Sequence, residues 1–324
     1  MPGAEAVIRF TDMSLNWPEV VRFRTRVRER YYPEGKPDCV VVLPCSKRKP
    51  YSRSRSHRFF AEAINPAKRR LNLEEIILTS PLGAVPRALE SVPPARNYDI
   101  PVTGIWSHEE IAMASESLAG LLLKISEELV PVVSHVAGGY LDACRMADEE
   151  LEWGFSYTGC DKPASIEGIR LLGDSLSAIT GSRKRDPLSG ERQVLSYQYG
   201  HEVSGLMTEE PARRGSRRGV RRITRAGSRV ARLNPHNGMY IPEVEGSRIL
   251  CECDSYCVDI DFKPEVKVVY CPGIVGADAS IRPDDEVAVR WKGELVGQGK
   301  ATMSGPEMEE SSRGKGVVLR EIYG

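Results

Sequence analysis

The segment Cys39-Val40-Val41-Val42-Leu43 decides the fold of the first half of this chain. It is short, rich in β-branched residues and bounded by prolines, which predicts a buried strand. Residues 44–57, which follow it, carry thiol, hydroxyl, ammonium, guanidinium and imidazole groups. Open α/β sheets place their sites at the carboxyl ends of strands, so this stretch is the first candidate site. Its composition alone is equally typical of a basic, serine-rich surface loop.

Strand and helix patterns alternate from residue 39 to residue 179. After the first strand we expect a helix at 58–70, a strand at 75–80, a helix at 109–128 and a strand at 130–136. A helix at 139–153, a strand at 155–158 and a helix at 165–179 complete the series. This alternation predicts an α/β fold, a three-layer domain with a parallel sheet and helices on both faces.

The second half of the chain has a different pattern. A helix is expected at 195–206, a strand pair at 220–233 and short strands at 239–242 and 248–251, which together indicate a small α+β module. Later strands at 266–270, 286–291, 294–302 and 316–323 are short and separated by turns, which predicts a small β-barrel. We therefore predict four parts: a helical entry segment 1–37, an α/β catalytic domain 38–182, an α+β module 193–261 and a barrel 262–324.

Charge and hydropathy narrow the function classes. The 324 residues include 45 Lys and Arg and 45 Asp and Glu, so net charge indicates no partner. The stretch 183–232 is nonetheless densely basic, which suits an anionic partner such as nucleic acid. No apolar run approaches the roughly 20 residues of a membrane span, and no signal peptide is apparent. We expect a cytoplasmic protein whose 8 cysteines are reduced.

Three groups of residues carry a resemblance to a known family. Residues 44–57 read Pro-Cys, three residues, Lys-Pro-Tyr, two residues, Ser, two residues, His. This pattern matches the signature loop of the archaeosine synthase family, and residues 79–87 and 97–104 also resemble the core of that family. Residues 273–278, 284–287 and 299–304 are similar to the PUA RNA-binding barrel. Longer family members carry a tRNA-guanine-transglycosylase-like barrel, so the chain resembles a short form that lacks this barrel.

The resemblance implies modification of a 7-cyano-7-deazaguanine base in the D-loop of tRNA. In the family an amine donor adds to the nitrile; the donor is understood to be free lysine, and glutamine is the older proposal. The implied partners are tRNA, the donor, a radical-SAM archaeosine enzyme and a separate transglycosylase-like subunit. No nucleotide-binding motif is present, and we expect no cofactor and no metal.

Candidate site residues follow from the chemistry of such a step. A thiolate adds to a nitrile carbon and gives a thioimide that an amine displaces, so Cys45 is the candidate nucleophile. A small buried residue at the end of the strand is an alternative of nearly equal weight for Cys45. Lys49, His57 and Asp99 are candidates for supporting catalytic roles. Candidates for binding the base or the donor are Ser46, Lys47, Tyr51, Ser54, Ser80, Arg87 and His135. The alternative is a helix-surface arginine for Arg87 and a satisfied core histidine for His135. The glycine pair Gly138-Gly139 that follows His135 permits close approach of the backbone to a ligand.

Two further clusters have alternative interpretations. Cys251, Cys253 and Cys257 superficially resemble a zinc site, but the spacing lacks a paired CxxC, so we expect buried thiols on a strand. The arginine-rich stretch predicts contacts with RNA phosphates, although a solvated loop is also compatible with it. The predicted RNA-binding residues are Arg213, Arg214, Arg217, Arg218, Arg221, Arg222, Gly273 and Gly276.

Two function classes remain open from the sequence. The first is an enzyme that modifies a tRNA base through the loop 44–57. The second is a non-catalytic tRNA-binding subunit that positions tRNA for a partner. A base-exchanging enzyme is a weaker third class, because that chemistry requires a carboxylate near the sugar and the first loop supplies none.

Overall fold

The structure is a computed structural model that describes residues 8–9, 12–33, 35–99, 104–126, 128–181, 186–217 and 220–323. The chain divides into two compact units, Met1–Gln193 and Val194–Gly324. No helix in the described part of the chain is both long and apolar enough to cross a lipid bilayer.

The first unit contains the α/β domain that the sequence predicts. Its elements in chain order are β1 Ile8–Arg9, α1 Pro18–Glu29, β2 Cys39–Pro44, α2 Arg55–Lys68, β3 Leu73–Thr79, β4 Gly83–Pro86, β5 Tyr98–Asp99, α3 His108–Ile125, β6 Val132–Ser134, α4 Gly139–Leu151, β7 Ser156–Tyr157 and α5 Ile166–Ser177. The main sheet has the order β4-β3-β2-β6-β7. Strands β3, β2, β6 and β7 run parallel, and the edge strand β4, which the sequence analysis missed, runs antiparallel to β3.

The α/β domain has three layers. Alternate residues of β2, namely Cys39, Val41 and Leu43, pack in one core with Phe60 of α2 and Leu172 of α5. Helices α3 and α4 pack against each other, and α3 also contacts β3 and β4. Since successive side chains of a strand point to opposite faces, the fully buried Val40 and Val42 lie on the other face. Each buried side chain of this size contributes about 1.5–3 kcal/mol through the hydrophobic effect.

The second unit contains two sheets. Its helices are α6 Ser189–Tyr199, which begins just before the unit boundary, α7 His201–Thr208, α8 Val244–Glu252 and α9 Gly305–Glu310. The four-stranded antiparallel sheet consists of β8 Arg213–Arg217, β9 Val220–Arg225, β10 Ser228–Leu233 and β11 Tyr240–Pro242. The six-stranded sheet has the order β13-β17-β16-β15-β12-β14. Its strands are β12 Cys257–Ile260, β13 Val268–Tyr270, β14 Ile274–Ala277, β15 Glu286–Trp291, β16 Glu294–Ala301 and β17 Lys315–Ile322.

Two local predictions for the second unit were wrong. The expected single helix at 195–206 is two helices, because Gly200 takes a φ of 92° between them. The segment expected as a strand at 248–251 lies in helix α8, whose buried residues include Gly246, Ile249 and Leu250. Because buried residues three and four apart lie on one side of a helix, the apolar run alone did not distinguish this helix from a short strand.

Candidate active site and RNA-binding surface

Cys45 lies at the carboxyl end of β2, where the sequence analysis places the candidate site. Its backbone N–H donates to the carbonyl of Leu78 at 3.1 Å, which continues the pairing of β2 with β3 by one residue. The side chain is 7% exposed, and its Sγ lies 3.1 Å from the Oη of Tyr140. The thiol therefore has a hydroxyl partner that the sequence analysis did not identify.

Tyr140 is the second residue of α4 and follows the pair Gly138-Gly139. We had expected this glycine pair to allow close approach of a ligand. Instead it accommodates the chain itself, because a Cβ on Gly138 would lie 2.7 Å from the carbonyl oxygen of Gly104 and one on Gly139 would lie 2.8 Å from Trp106. The rings of Trp106 and Tyr140 pack with centroids 4.4 Å apart. These contacts fix the tyrosine ring beside Cys45.

Ser80 follows β3 and meets a carboxylate that sequence reasoning also missed. Its Oγ donates to Glu110 Oε1 at 2.5 Å, while Oε2 of Glu110 accepts from the backbone N–H of Ser107 at the start of α3. Burial raises the pKa of the Tyr140 hydroxyl, and the hydrogen bond with Cys45 and the carboxylate of Glu110 raise it further. Because β2 and β3 are adjacent and parallel, the Cys45–Tyr140 pair and the Ser80–Glu110 pair both lie at the carboxyl edge of the sheet.

Lys49 is held at the same end of the sheet. Its Nζ donates to the carbonyl of Ser46 at 2.6 Å and lies 3.9 Å from the ring centroid of Tyr98. The hydroxyl of Tyr98 in turn lies 2.6 Å from Thr79 Oγ1 and 2.8 Å from the hydroxyl of Tyr51. The buried tyrosine rings therefore provide a π face for the ammonium group, an arrangement that stabilises a cation.

Tyr51 was predicted to bind substrate, but its position suits packing instead. The side chain is fully buried, and burial raises the pKa of its hydroxyl well above the usual value. Its hydroxyl is satisfied by Tyr98. Tyr51 therefore holds the Tyr98 ring that Lys49 contacts, and its hydroxyl is not directed to a ligand.

His57 lies at the other end of the loop and has both ring nitrogens engaged. Arg87 Nη2 lies 2.9 Å from Nδ1, and the carbonyl oxygen of Pro44 lies 3.1 Å from Nε2. A guanidinium group only donates, so Nδ1 accepts and Nε2 carries the proton that it donates to Pro44. Burial, and next the charge of Arg87, lower the pKa of His57 to about 3. The imidazole is therefore neutral and ties the two ends of the loop together.

Arg87 was predicted as a candidate carboxylate ligand, with a helix-surface arginine as the alternative, and the structure shows neither. Its guanidinium group donates to Glu75 at 2.9 Å and to Glu90 at 3.1 Å as well as contacting His57. Burial opposes ionisation of Glu75, but Arg87 and Lys68 outweigh it and hold the pKa of Glu75 at about 2. These ion pairs form a network with the loop residue His57, and the guanidinium group of Arg87 makes its hydrogen bonds to protein side chains.

The other predicted residues of the loop have simple local positions. Ser46 Oγ donates to the carbonyl of Arg48 at 3.0 Å, and Lys47 is exposed. Ser54 caps α2 by accepting from the N–H of His57 at 3.2 Å, which is the usual role of a serine at a helix start. The Asp99 side chain lies outside the described part of the structure; the backbone of Asp99 pairs with Arg9.

His135, expected to line the crevice or to be a satisfied core histidine, is fully buried. Its Nε2 lies 2.9 Å from the carbonyl of Pro163 and its Nδ1 lies 2.9 Å from the hydroxyl of Thr158. Burial lowers the pKa of the imidazole. The described contacts favour the core-histidine alternative.

The predicted RNA-binding arginines divide into two groups. Arg222 forms an ion pair with the buried Glu243 at 2.6 Å, and neighbouring Arg225 forms one with Glu245 at 2.9 Å. Arg213, Arg214 and Arg221 are exposed on β8 and β9. The Arg217 side chain and all of Arg218 lie outside the described residues. The exposed arginines are the members of the predicted set that the structure presents to solvent.

The two predicted glycines lie in and beside the six-stranded sheet. Gly273 ends a short 3₁₀ turn, and a Cβ there would collide with the ring of Phe262. Gly276 lies in β14, where a Cβ would make only an ordinary contact of 3.6 Å with Asp259. A side chain at position 273 would therefore require the exposed Phe262 ring to shift.

The cysteine cluster has a different geometry from the one expected. Cys251 lies on α8, Cys253 caps that helix and Cys257 lies on β12, so they do not alternate along one strand. A hydrogen bond with Cys257 lowers the pKa of Cys251. Across the described ranges, no three His, Cys, Asp or Glu side chains are grouped so as to hold a metal ion.

Three family models match consecutive parts of the chain. Residues 20–176 match a domain of unknown function, DUF5591. Residues 192–256 match the patch-forming domain C2 of tRNA-guanine transglycosylase, and residues 265–323 match the PUA domain. Strands β13 to β17 of the six-stranded sheet lie within this match, which confirms the predicted PUA domain, and β12 precedes it.

Curated relatives match almost the whole chain. The archaeosine synthase subunit alpha of Methanosarcina acetivorans is 38% identical over 96% of this chain and 51% of its own length. The archaeosine synthase of Methanocaldococcus jannaschii is 32% identical over 95% of this chain and 53% of its own length. The chain thus spans about half the length of the curated relatives it matches. Among solved structures, AF0587, titled a protein of unknown function, is 28% identical with a TM-score of 0.72, covering 94% of this chain and 100% of that one.

Proposed function

We propose that this chain, a homologue of the archaeosine synthases along nearly its whole length, modifies a deazaguanine base of tRNA on the path to archaeosine. The reaction is the addition of an amine donor to the nitrile of 7-cyano-7-deazaguanine in the D-loop. Lysine is the proposed donor and glutamine-derived nitrogen the alternative. The chain works in the cytoplasm with tRNA, and a radical-SAM enzyme and a transglycosylase-like subunit are its proposed partners.

The observation that carries this proposal is the thiol of Cys45 at the carboxyl ends of parallel strands, 3.1 Å from a tyrosine hydroxyl. A cysteine in this place can attack an electrophilic nitrile carbon, and an amine can then displace the sulfur. Lys49, four residues further along the loop and held over the Tyr98 ring, is proposed to favour negative charge that develops in the site through its ammonium charge.

The roles of the other predicted residues change in this scheme. His57 and Arg87 are proposed to position the loop, because they bond to each other and to Pro44, Glu75 and Glu90. Ser80 and Glu110 are proposed to contact the donor amine, since a carboxylate attracts an ammonium group. We place tRNA on the exposed arginines of β8 and β9 and on the PUA domain.

A second candidate function is a non-catalytic tRNA-binding subunit that positions tRNA for a partner. The small exposure of Cys45, 7%, favours it, because a buried thiol at the end of a strand is also an ordinary packing residue. In that case the exposed arginines and the PUA domain would carry the whole function.

Incubation of the chain with tRNA that contains 7-cyano-7-deazaguanine, in the presence of lysine or glutamine, tests both candidates. Nucleoside mass spectrometry should show the base with the mass of one added lysine, and Cys45→Ala should abolish this product. Retention of full turnover by Cys45→Ser would exclude covalent catalysis. Binding of the tRNA without any product would support the second candidate.

A further inference from the structure

We propose that Tyr140 is a catalytic residue that relays the proton of the Cys45 thiol to the nitrile nitrogen during attack. This inference rests on the proposed function and extends it to a residue that the signature loop does not contain. A thiol that adds across a C≡N bond must lose its proton while the nitrogen gains one. The structure therefore has to provide a group that contacts the sulfur and can both accept and donate a proton.

Tyr140 has the required contact with the sulfur. Its Oη lies 3.1 Å from Cys45 Sγ, and either atom can be the donor of this hydrogen bond. The side chain is 4% exposed, so bulk water does not readily replace it. His57, the first candidate from the sequence, cannot relay this proton without breaking its bonds, because Pro44 and Arg87 occupy its two nitrogens.

The tyrosine ring is fixed in place by its surroundings. Trp106 packs against it with ring centroids 4.4 Å apart, and Gly139 leaves the space that the indole occupies. Burial, helped by the hydrogen bond with Cys45 and by the nearby Glu110 carboxylate, raises the pKa of the Tyr140 hydroxyl. The phenol consequently stays protonated at neutral pH, which suits a group that passes a proton on without holding a charge.

The proposed step balances without an oxidant, a reductant or water. As the S–C bond forms and one π bond of the nitrile breaks, the thiol proton moves to Tyr140 Oη while the phenolic proton moves to the nitrogen. The product is a thioimide on Cys45. The donor amine then forms the C–N bond, the S–C bond breaks, and the thiol regains a proton from the amine to leave an amidine.

A small aromatic nitrile, 2-cyanopyridine, tests the relay without tRNA. Peptide mass spectrometry of the full chain follows adduct formation at Cys45 in the wild type, Tyr140→Phe and Tyr157→Phe. Tyr157 is the matched control because its hydroxyl bonds to Asp148, at 3.0 Å, and not to Cys45. Iodoacetamide serves as a second probe, because its reaction with a thiol requires no proton on a nitrogen.

We expect Tyr140→Phe to slow the nitrile adduct about 100-fold, as loss of a proton carrier typically does, and to change the iodoacetamide rate less than about threefold. Tyr157→Phe should match the wild type with both probes. Equal slowing of both probes by Tyr140→Phe would show that Tyr140 only orients the thiol, and no slowing of either would also overturn the relay. A wild-type nitrile adduct without any tRNA product would instead count against the proposed function and leave the relay supported.

Discussion

The two ends of the loop 44–57 differ in the groups that surround their reactive side chains. At its start, the described structure gives the Cys45 thiol a single hydroxyl partner, and Lys49 lies on a tyrosine face nearby. At its end, His57 and Arg87 are joined to Pro44, Glu75 and Glu90 by hydrogen bonds and ion pairs. The first end suits chemistry with a ligand, whereas the second holds the loop in shape.

This difference separates residues that can take part in chemistry from residues that stabilise the loop, although the sequence places both kinds in one motif. Thiol, imidazole and guanidinium groups in one motif all suggest catalysis when only their types are known. His57 and Arg87 are instead held by hydrogen bonds within the protein, as is usual for buried polar groups. Substitutions at the two ends should therefore affect different measurements, stability at one end and turnover at the other.

The largest expected effect is on stability, from Glu75→Gln. Removal of this carboxylate charge leaves Arg87 and Lys68 without the partner that both now share. Loss of one member of a buried ion pair costs about 3–5 kcal/mol of the free energy of unfolding, and we expect the lower end of this range because Arg87 keeps its ion pair with Glu90. Urea denaturation followed by circular dichroism measures this loss.

Glu167→Gln is the matched control for this substitution. Glu167 also pairs with an arginine, Arg170, but both side chains are largely exposed, so the unfolding midpoint should not change measurably. Equal midpoints for Glu75→Gln and the wild type would show that the network does not hold the domain together.

The next effect is a pH dependence of stability that His57 contributes. Its pKa falls from 6.5 in the unfolded chain to about 3 in the folded protein, so only the unfolded chain binds this proton between those values. The free energy of unfolding therefore falls as pH decreases through this window, by up to about 1.4 kcal/mol per pH unit. Urea midpoints at several pH values between 7 and 5 should show a shallower slope for His57→Gln than for the wild type.

His135 provides an internal reference for this measurement, because it is present in both proteins and burial also lowers its pKa. Any slope that remains in His57→Gln includes its contribution. Parallel profiles for the two proteins would mean that His57 is not neutral in the folded state.

The sequence predicted the α/β domain well, because β2, β3 and β6 each contain a short apolar run and each helix has its own periodicity. It also located Cys45, since a cysteine after a buried strand lies at a defined edge of the sheet. Tyr140 and Glu110 were missed because only tertiary packing brings them to their partners. Tyr140 is 95 residues from Cys45 in the sequence, and Glu110 is 30 residues from Ser80. The role of Arg87 was missed for the same reason, as Glu75 lies on a neighbouring strand and not on the loop itself.

The smallest expected effect separates two arginines of the second unit in the same way. Arg213 is exposed on β8, whereas Arg222 pairs with the buried Glu243. If Arg213 contacts a tRNA phosphate, Arg213→Ala should reduce the slope of log affinity against log salt by about 1, with the unfolding midpoint unchanged. Arg222→Ala should instead lower the unfolding midpoint and leave the salt slope of the folded protein close to that of the wild type.

Filter-binding titrations at several salt concentrations, with urea denaturation of the same samples, measure both the salt slope and the unfolding midpoint. An unchanged slope for Arg213→Ala, or a reduced slope for Arg222→Ala alone, would reverse this assignment, because the ion-paired guanidinium would then be the one that meets RNA.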